Sequence, residues 1–322
     1  MSFLSGPLIL IYNPSFGRWP NLLKLNAETT CRFTRDRRRL SEAAAVVFHL
    51  PTMQGRDYPD RYPGQVWVAR CMESTSNVPA LADPEFMKRF DLTIGYWREA
   101  SVWTTYFGAL RPARLLSPPM EKTEPAPAAY FQSSAVDRSG RITLVRELMK
   151  RMRVDSYGRV LNTRALAQPD KGRPTKLAAI ARHKFTLAFE NTITRDYVTE
   201  KFFDPLIAGS VPVYLGAPNV VDYTPGEDCF INAADFDGPA SLANYLNALG
   251  EDEAAYGKYL AWKARPLRPQ FLLMLETTCI PGLHRLCPLV RGQDTGHGSV
   301  ADGLSRWGHF RLAHWRGRSF SA

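Results

Sequence analysis

Two short apolar runs, FTLAF (185–189) and VPVYL (211–215), restrict the fold of this chain more than any other feature. Both have the length and the content of β-branched and aromatic residues that are typical of buried strands. Between them lie a polar loop and a helix-forming segment near 200–208, with Gly209 as the predicted residue after the helix. Strand, loop, helix and strand within about thirty residues form a βαβ unit, which makes the two strands parallel neighbours in one sheet.

Other parts of the chain continue this alternation of strands and helices. The further strand candidates are LILIY (8–12), AAVVFHL (44–50), GQVWVARCME (64–73), FDLTIGYW (90–97), AAYFQSS (128–134) and CFINAADF (229–236). Helical spacing of apolar residues marks 140–153 and 239–249. The pattern predicts an α/β fold in which two Rossmann-like domains face each other across a cleft.

A proline-rich stretch at 111–128 separates the two sets of elements. Proline at this density ends helices and central strands, so we expect a linker at 119–127. The predicted organisation has an N-terminal α/β domain at 1–118, a C-terminal α/β domain at 128–287 and a basic, aromatic tail at 288–322. Such a tail touches a membrane surface or covers the second domain, or it stays poorly ordered.

The net charge of +10 indicates an anionic partner. The densest basic run is RDRRR (35–39), and no zinc-finger, RNA-binding or basic-zipper pattern accompanies it. One short run is not a nucleic-acid footprint, so we expect no nucleic-acid partner and interpret the run as a solvated surface.

Several common catalytic motifs are missing from the sequence. It contains no G-x-G-x-x-G after a strand, no Walker A loop, no G-x-S-x-G and no H-E-x-x-H. The segment DFD (235–237) has the D-x-D spacing of metal-dependent sugar-nucleotide enzymes, but turn chemistry accounts for both carboxylates. We therefore predict no metal site.

Polar residues crowd the segment FENTITRDYVTEK (189–201), directly after the FTLAF strand. If a helix begins near Thr199, Lys201 lies in its first turn, where the helix dipole favours an anion. Asn191 and Glu200 offer groups for the hydroxyls of a sugar or a ribose, and Tyr197 offers an aromatic face. The cluster fits a sugar attached to a nucleoside diphosphate; a capped helix with surface charge is the alternative.

The segment FTLAFENTITRDYVTEKFFDPLIAGSVPVYLGAP resembles the donor-binding signature of the family-10 α1,3/α1,4-fucosyltransferases. The resemblance extends over roughly residues 8 to 287. PGQVWVARCMESTSNVP (63–79) is similar to a tryptophan-rich strand and Glu-Ser-Pro-Ser segment of that family, and SSAVDRSGRITLVRELMKRMRVDSYGRV to the start of its donor domain.

This resemblance implies a fold of the GT-B type and transfer of L-fucose from GDP-fucose to a glycan acceptor, with inversion at the anomeric carbon. The acceptor it favours is GlcNAc of lactosamine-type chains in α1,3 linkage. Glu73 matches the proposed general base. The donor-binding matches are Arg141, at the diphosphate, with Asn191, Tyr197, Glu200 and Lys201. No cofactor is implied, and a divalent metal is expected at most to stimulate the reaction.

The sequence departs from the family pattern in the predicted acceptor domain. The usual YRRDSD is YWREAS here, with Trp97, Glu99 and Ser101 in place of an arginine and two aspartates. No anchor stem precedes residue 8, so we expect a cytoplasmic or peripheral membrane protein, with an anchor-less Golgi catalytic domain as the alternative. A transferase for another sugar nucleotide, or a non-catalytic basic binding protein, are the remaining alternatives for function.

Overall fold

The structure is a computed structural model that describes residues 6–53, 55–107 and 112–292. The chain divides into two compact units. Unit 1 comprises Met1–Thr104 and Ile280–Ala322, and unit 2 comprises Thr105–Cys279. The predicted membrane contact of the C-terminal tail falls beyond residue 292, outside the described residues.

All named strands and helices belong to these described ranges. The strands are β1 (Leu8–Ile11), β2 (Arg32–Thr34), β3 (Ala45–His49), β4 (Val66–Cys71), β5 (Leu92–Gly95), β6 (Val102–Trp103), β7 (Ala128–Tyr130), β8 (Val154–Ser156), β9 (Phe185–Phe189), β10 (Val211–Leu215) and β11 (Ile231–Asn232). The α-helices are α1 (Leu22–Glu28), α2 (Pro84–Met87), α3 (Pro112–Leu115), α4 (Arg141–Met149), α5 (Arg173–Ala181), α6 (Glu200–Ala208), α7 (Pro239–Glu251), α8 (Glu253–Lys258), α9 (Pro269–Thr278) and α10 (Gly282–Val290).

Unit 1 is built on a parallel sheet with strand order β2-β1-β3-β4-β5-β6. Its strands are buried on both faces, as parallel sheets require. Ile9 and Ile11 pack on one face with Leu286 of α10, whereas Leu10 packs on the opposite face with Phe48. This two-sided burial explains why the strands are continuous apolar runs rather than alternating ones.

Unit 2 has a parallel sheet with strand order β11-β10-β9-β7-β8. Phe185 and Leu187 of β9 pack against α4 and α7 through Leu148 and Leu246. The predicted βαβ unit is confirmed, since β9, α6 and β10 follow one another and β9 pairs with β10 over five residues. Two doubly wound parallel α/β sheets are the architecture of a GT-B type fold.

The limits of the two units differ from the ranges predicted from the sequence. Leu283 and Leu286 of α10 lie in the core of unit 1, so the chain returns to this unit before residue 287. The predicted linker packs within unit 2, where Lys122 Nζ donates to the carbonyls of Ala181 (2.8 Å) and Gly209 (2.6 Å). The proline content indicates that this segment lacks regular structure. It does not indicate the packing within unit 2, because these contacts join residues that are distant in the sequence.

Over the described residues, none of the helices combines the length and the apolar character needed to cross a lipid bilayer.

Candidate functional site

The carboxyl ends of β7 and β9 mark the place where a ligand would bind in unit 2. The chain leaves β7 for β8 on one side and returns to β9 on the other, so β7 and β9 flank the switch point of this sheet. Open parallel sheets bind ligands outside the strand ends at such a point. The loop after β7 reaches the loop after β9, because Arg138 N donates to Asn191 O (2.8 Å) and Ser139 Oγ to Glu190 O (2.6 Å).

Glu190, the first residue after β9, is completely buried. Its carboxylate accepts hydrogen bonds from Thr199 N (2.7 Å) and Thr199 Oγ1 (2.8 Å), and one oxygen lies 3.5 Å from Lys201 Nζ. Burial raises the pKa of Glu190, although Lys201 opposes that rise. Glu190 therefore ties the start of α6 to the end of β9.

Lys201 lies in the first turn of α6, as the sequence predicts, and Thr199 is the N-cap whose hydroxyl accepts from Lys201 N. The ammonium lies 3.3 Å from Glu200 Oε1 and 3.1 Å from Thr199 Oγ1. Burial alone would lower the pKa of Lys201, but the charges of Glu190 and Glu200 outweigh it and raise the pKa. The lysine is thus held as a cation between two carboxylates.

Glu190, Lys201 and Glu200 form a charged triad, and Glu200 is its exposed member, with 40% of its side chain accessible. Burial acts to raise its pKa, but the neighbouring charges of Lys201 and Lys176 prevail and lower it. Glu200 is therefore an ionised acceptor at neutral pH, available to donors such as hydroxyl groups.

Asn191 follows Glu190 and keeps an unused acceptor. Within the described residues its side-chain oxygen is buried without a hydrogen-bond partner. A buried polar atom left without a partner is costly, which points to a group that binds there. Its position fits the predicted contact with a donor hydroxyl.

Arg141 has a different setting from the one that we predict for a diphosphate ligand. The residue is only 2% exposed, and its guanidinium donates to the carbonyls of Phe189 (3.0 Å) and Val136 (2.9 Å). Its Nε has no partner in the part of the chain that the structure describes. Arg141 thus braces the end of β9, and its contact with a diphosphate stays a prediction.

Tyr197 is buried rather than open to a ligand. It is 3% exposed, and its ring packs edge-on against Tyr106 with centroids 6.0 Å apart. The prediction of an accessible aromatic face at this position is therefore not met in this structure, because the ring belongs to the packing of unit 2.

A pocket of about 390 Å³ lies beside the exposed side of the triad. Phe131 and Tyr157 stack in it with their ring centroids 4.9 Å apart, and the Tyr157 hydroxyl is buried without a partner among the described residues. Glu200 also lines the pocket, together with Lys176, whose ammonium is 5.6 Å from the Phe131 ring centroid. Aromatic rings, an unused hydroxyl and flanking charges suit a flat heterocyclic ring with polar edges.

Our sequence predictions omit Glu190 and this pocket. Glu190 stands inside the polar segment, but only the packing of α6 against β9 shows that it is buried. Phe131 directly follows β7 and Tyr157 directly follows β8. Aromatic residues in these positions are the feature of the sequence that could have indicated the pocket.

Glu73 belongs to unit 1, where it follows β4 at the carboxyl edge of the sheet. Its Oε2 accepts from Asn77 Nδ2 at 3.0 Å, and its main-chain N–H donates to Cys71 Sγ at 3.4 Å. The side chain is half-buried. The Asn77 amide orients the carboxylate, which can accept a proton from a bound hydroxyl.

Trp97, which departs from the family pattern, covers the end of β5. A Cβ on Gly95 would stand 2.2 Å from the Trp97 ring, so the indole needs a glycine below it. Ser101, another of the three departures, exchanges hydrogen bonds with Thr93 (Ser101 N to Thr93 Oγ1, 3.0 Å; Thr93 N to Ser101 Oγ, 3.1 Å). The departures at Trp97 and Ser101 are thus accommodated by local packing within unit 1.

Comparison with known protein families covers nearly all of the described chain. A model of the fucosyltransferase N-terminal region matches residues 5–107, and the model of the glycosyltransferase family 10 (fucosyltransferase) C-terminal region matches residues 120–307. The chain belongs to glycosyltransferase family 10.

Curated relatives of this family 10 chain differ in the reaction that their names describe. Alpha-(1,3)-fucosyltransferase 7 of Bos taurus is 35% identical over 73% of this chain and 67% of the relative. Alpha-(1,3)-fucosyltransferase B of Drosophila melanogaster is 32% identical over 74% of this chain and 58% of the relative. GDP-fucose protein O-fucosyltransferase 3 of Homo sapiens is 33% identical over 81% of this chain. The chain spans about three-fifths of the length of the last two relatives.

A solved structure supports the fold of this family 10 chain. The crystal structure of an alpha1,3-fucosyltransferase with GDP-fucose aligns with a TM-score of 0.54, at 18% identity, over 79% of this chain and 81% of that one. At this identity the likeness concerns the fold alone.

Proposed function

We propose that this protein is an inverting fucosyltransferase that moves L-fucose from GDP-fucose to a hydroxyl of a glycan acceptor. The observation that carries the proposal is the Glu190–Lys201–Glu200 triad at the end of β9, inside the region matched by the family 10 model. The triad fixes a cation beside an ionised carboxylate, at the switch point where a parallel sheet binds nucleotides.

In our proposal, unit 2 binds the donor through three features. The guanine ring enters the pocket lined by Phe131 and Tyr157. The ammonium of Lys201 pairs with the diphosphate, since lysine acts as a compact positive charge suited to phosphate. The amide oxygen of Asn191 and the carboxylate of Glu200 accept hydrogen bonds from sugar hydroxyls.

The chemical step forms one bond and breaks another. The acceptor oxygen attacks the anomeric carbon of fucose while its proton passes to the Glu73 carboxylate. The bond from the anomeric carbon to the phosphate oxygen breaks, and the electron pair leaves with GDP. Attack from the face opposite GDP inverts the anomeric centre. Lys201 stabilises the charge that develops on the leaving diphosphate, and the step needs no metal in this scheme.

The linkage that we favour is α1,3, which the names of two of the relatives support. The acceptor that we favour is GlcNAc of lactosamine-type chains. The name of another relative favours a second candidate, transfer of fucose to a protein hydroxyl. A different sugar nucleotide is the further alternative, because Asn191 and Glu200 do not by themselves specify fucose.

A donor panel of GDP-fucose, GDP-mannose and UDP-glucose, assayed by mass on lactosamine-type glycans and on folded protein acceptors, tests the proposal. We expect product only from GDP-fucose. Glu73→Gln should lower turnover by about 10²–10⁴-fold while GDP still binds. The matched control is Glu85→Gln, whose carboxylate is exposed and also lies in unit 1.

Lys201→Met tests the donor site separately, and we expect it to weaken GDP binding by about 10–100-fold. Lys150→Met, at an exposed lysine of unit 2, should leave GDP affinity unchanged. Full turnover in Glu73→Gln would refute the assignment of the base, and unchanged GDP affinity in Lys201→Met would refute the donor site.

A further inference from the structure

Trp97 stands just beyond the end of β5, and the neighbouring strand in the sheet is β4, which precedes the proposed base. β4 and β5 run parallel, and the last residues that they pair are Cys71 and Gly95. Glu73 lies two residues after Cys71, and Trp97 lies two residues after Gly95. Base and indole therefore leave the sheet at the same edge, from neighbouring strands about 5 Å apart.

The indole of Trp97 folds back over the end of its own strand. A Cβ on Gly95 would come within 2.2 to 2.5 Å of the ring atoms Cζ3, Cη2 and Cε3, so the benzene part of the indole covers this glycine. Paired residues of adjacent strands direct their side chains to the same face of a sheet, so the ring lies on the face of Cys71. Trp97 packs there against the apolar cluster that contains Cys71 and Phe48. The ring thus has a rigid support.

Part of this ring stays open to solvent. Trp97 is half-buried, whereas Trp67 and Trp103, which lie inside β4 and β6, are buried. An indole that packing already holds in place loses little conformational entropy when a ligand covers its open part. Trp97 therefore offers a preorganised flat apolar surface at the carboxyl edge of the sheet, where open parallel sheets bind ligands.

The proposed base is mounted on the same apolar cluster as this ring. Glu73 N donates to Cys71 Sγ, and that thiol donates to Glu73 O, both at 3.4 Å. Burial raises the pKa of Cys71 to about 12, so the thiol keeps the proton that it donates. Asn77 Nδ2 then orients the carboxylate at 3.0 Å. Since Cys71 belongs to the cluster that supports Trp97, ring and carboxylate are held in a fixed relation to each other.

The indole and the carboxylate suit different parts of a sugar. A pyranose presents axial C–H groups on a face and hydroxyl groups around its edge. Aromatic side chains pack against apolar faces, whereas a carboxylate accepts a proton from a hydroxyl at the edge. A serine or threonine side chain of a protein acceptor has a hydroxyl but no comparable flat face. The pair of Trp97 and Glu73 therefore favours a glycan acceptor over a protein hydroxyl.

We propose that Trp97 is the platform on which the acceptor sugar stacks, and that this contact determines which acceptors receive fucose. The stacked sugar directs the hydroxyl at its edge towards the carboxylate of Glu73. The inference rests on the proposed function, because it names the residue that recognises the acceptor of that same reaction. The usual family pattern has an arginine at this position, so the aromatic platform distinguishes this chain from that pattern.

Steady-state kinetics on the full chain, with saturating GDP-fucose and N-acetyllactosamine as the varied acceptor, test the platform. Trp97→Leu keeps apolar cover over Gly95 but removes the aromatic face, and we expect it to raise the acceptor KM by about tenfold. Because stacking binds the sugar equally before and during the reaction, kcat should change by less than about threefold. Trp97→Phe keeps a ring and should stay within about threefold of the wild-type KM.

Tyr62→Leu is the matched control. Tyr62 is an exposed aromatic residue of unit 1 that precedes β4, so it lies at the opposite, amino edge of the sheet. It should keep the wild-type KM, and GDP affinity should be the same in all variants, since the proposed donor site lies in unit 2. Trp97→Met replaces Trp97→Leu if the latter does not fold. A wild-type acceptor KM in these Trp97 variants, or an equal rise in Tyr62→Leu, would overturn the inference.

Saturation-transfer NMR separates this inference from the proposed function. With GDP present and no fucose to transfer, the C–H protons on one face of the acceptor sugar of N-acetyllactosamine should receive the strongest saturation, and Trp97→Leu should abolish it. Such binding supports the inference even if the protein transfers no fucose, in which case the proposed reaction fails alone. Transfer of fucose to folded proteins without any binding of the glycan would leave fucose transfer standing and overturn the inference.

Discussion

Acidification should destabilise unit 1 through one buried histidine. His49 ends β3 and is 6% exposed, with Nδ1 3.0 Å from Thr52 Oγ1. Burial and then the nearby charge of Arg70 lower its pKa from 6.5 to about 4. The folded protein therefore keeps this imidazole neutral at pH values where the unfolded chain protonates it.

The sign and size of the effect follow from linkage. Because the folded pKa lies below the unfolded value, the unfolded state binds more protons between pH 6.5 and pH 4, and stability falls as the pH falls through this window. A tenfold difference in proton affinity corresponds to about 1.4 kcal/mol. Protonation of His49 in the unfolded chain therefore lowers the free energy of unfolding by about 2 kcal/mol at pH 5 and by about 3 kcal/mol at pH 4.

Urea unfolding of the wild type and of His49→Gln at pH 7.5 and pH 5, followed by tryptophan fluorescence, measures this loss. The wild type should lose about 2 kcal/mol more free energy of unfolding than the variant over this interval. NMR titration of the imidazole, assigned by its absence in the variant, should give a midpoint near 4. Equal losses in the two proteins, or a midpoint near 6.5, would refute the reasoning.

Two further predictions concern unit 2. Glu190→Gln and Lys201→Met should each destabilise the protein, but the double variant should lose about 1–3 kcal/mol less than the two effects added. Lys201→Met leaves the buried carboxylate of Glu190 without its cation, and this cost is absent when residue 190 is glutamine. Additive effects in urea unfolding would contradict this coupling. Gly209→Ala should cost about 2 kcal/mol or more, since Gly209 has a φ of 76° and a Cβ there would stand 2.8 Å from Pro119. Gly257→Ala, in α8 with open space around it, should instead stabilise by about 0.5–1 kcal/mol, and thermal unfolding that ranks the two alanines the other way would refute the argument.

Much of the fold of unit 2 could be predicted from local sequence pattern. The predicted strands at 185–189 and 211–215, the helix start at Thr199 and the place of Lys201 in the first turn are all confirmed. Each depends on apolar periodicity or on capping chemistry within a few residues. The two-residue strand β6 was not predicted, because so short a strand is defined by its partner rather than by its own composition.

The candidate site was only partly accessible to the same reasoning. Glu200 and Lys201 lie together at the start of α6, next to Glu190 at the end of β9, and Asn191 follows Glu190 in the chain. Tyr197 and Arg141, by contrast, are buried in the packing of unit 2. The sequence indicated which polar residues gather at the strand end, but it did not indicate which of them face solvent.

The amino-acid sequence alone thus determined the parallel α/β architecture, the family and the position of the lysine at a helix start, because each is recorded in contiguous residues. Only the tertiary structure decided that Glu190 is buried whereas Glu200 is exposed, and that Arg38 is neutralised whereas Arg37 is not. Burial and charge pairing depend on atoms supplied by distant segments, such as the turn at 12–19 beneath Arg37. Neighbouring residues of the same type therefore acquire opposite electrostatic roles.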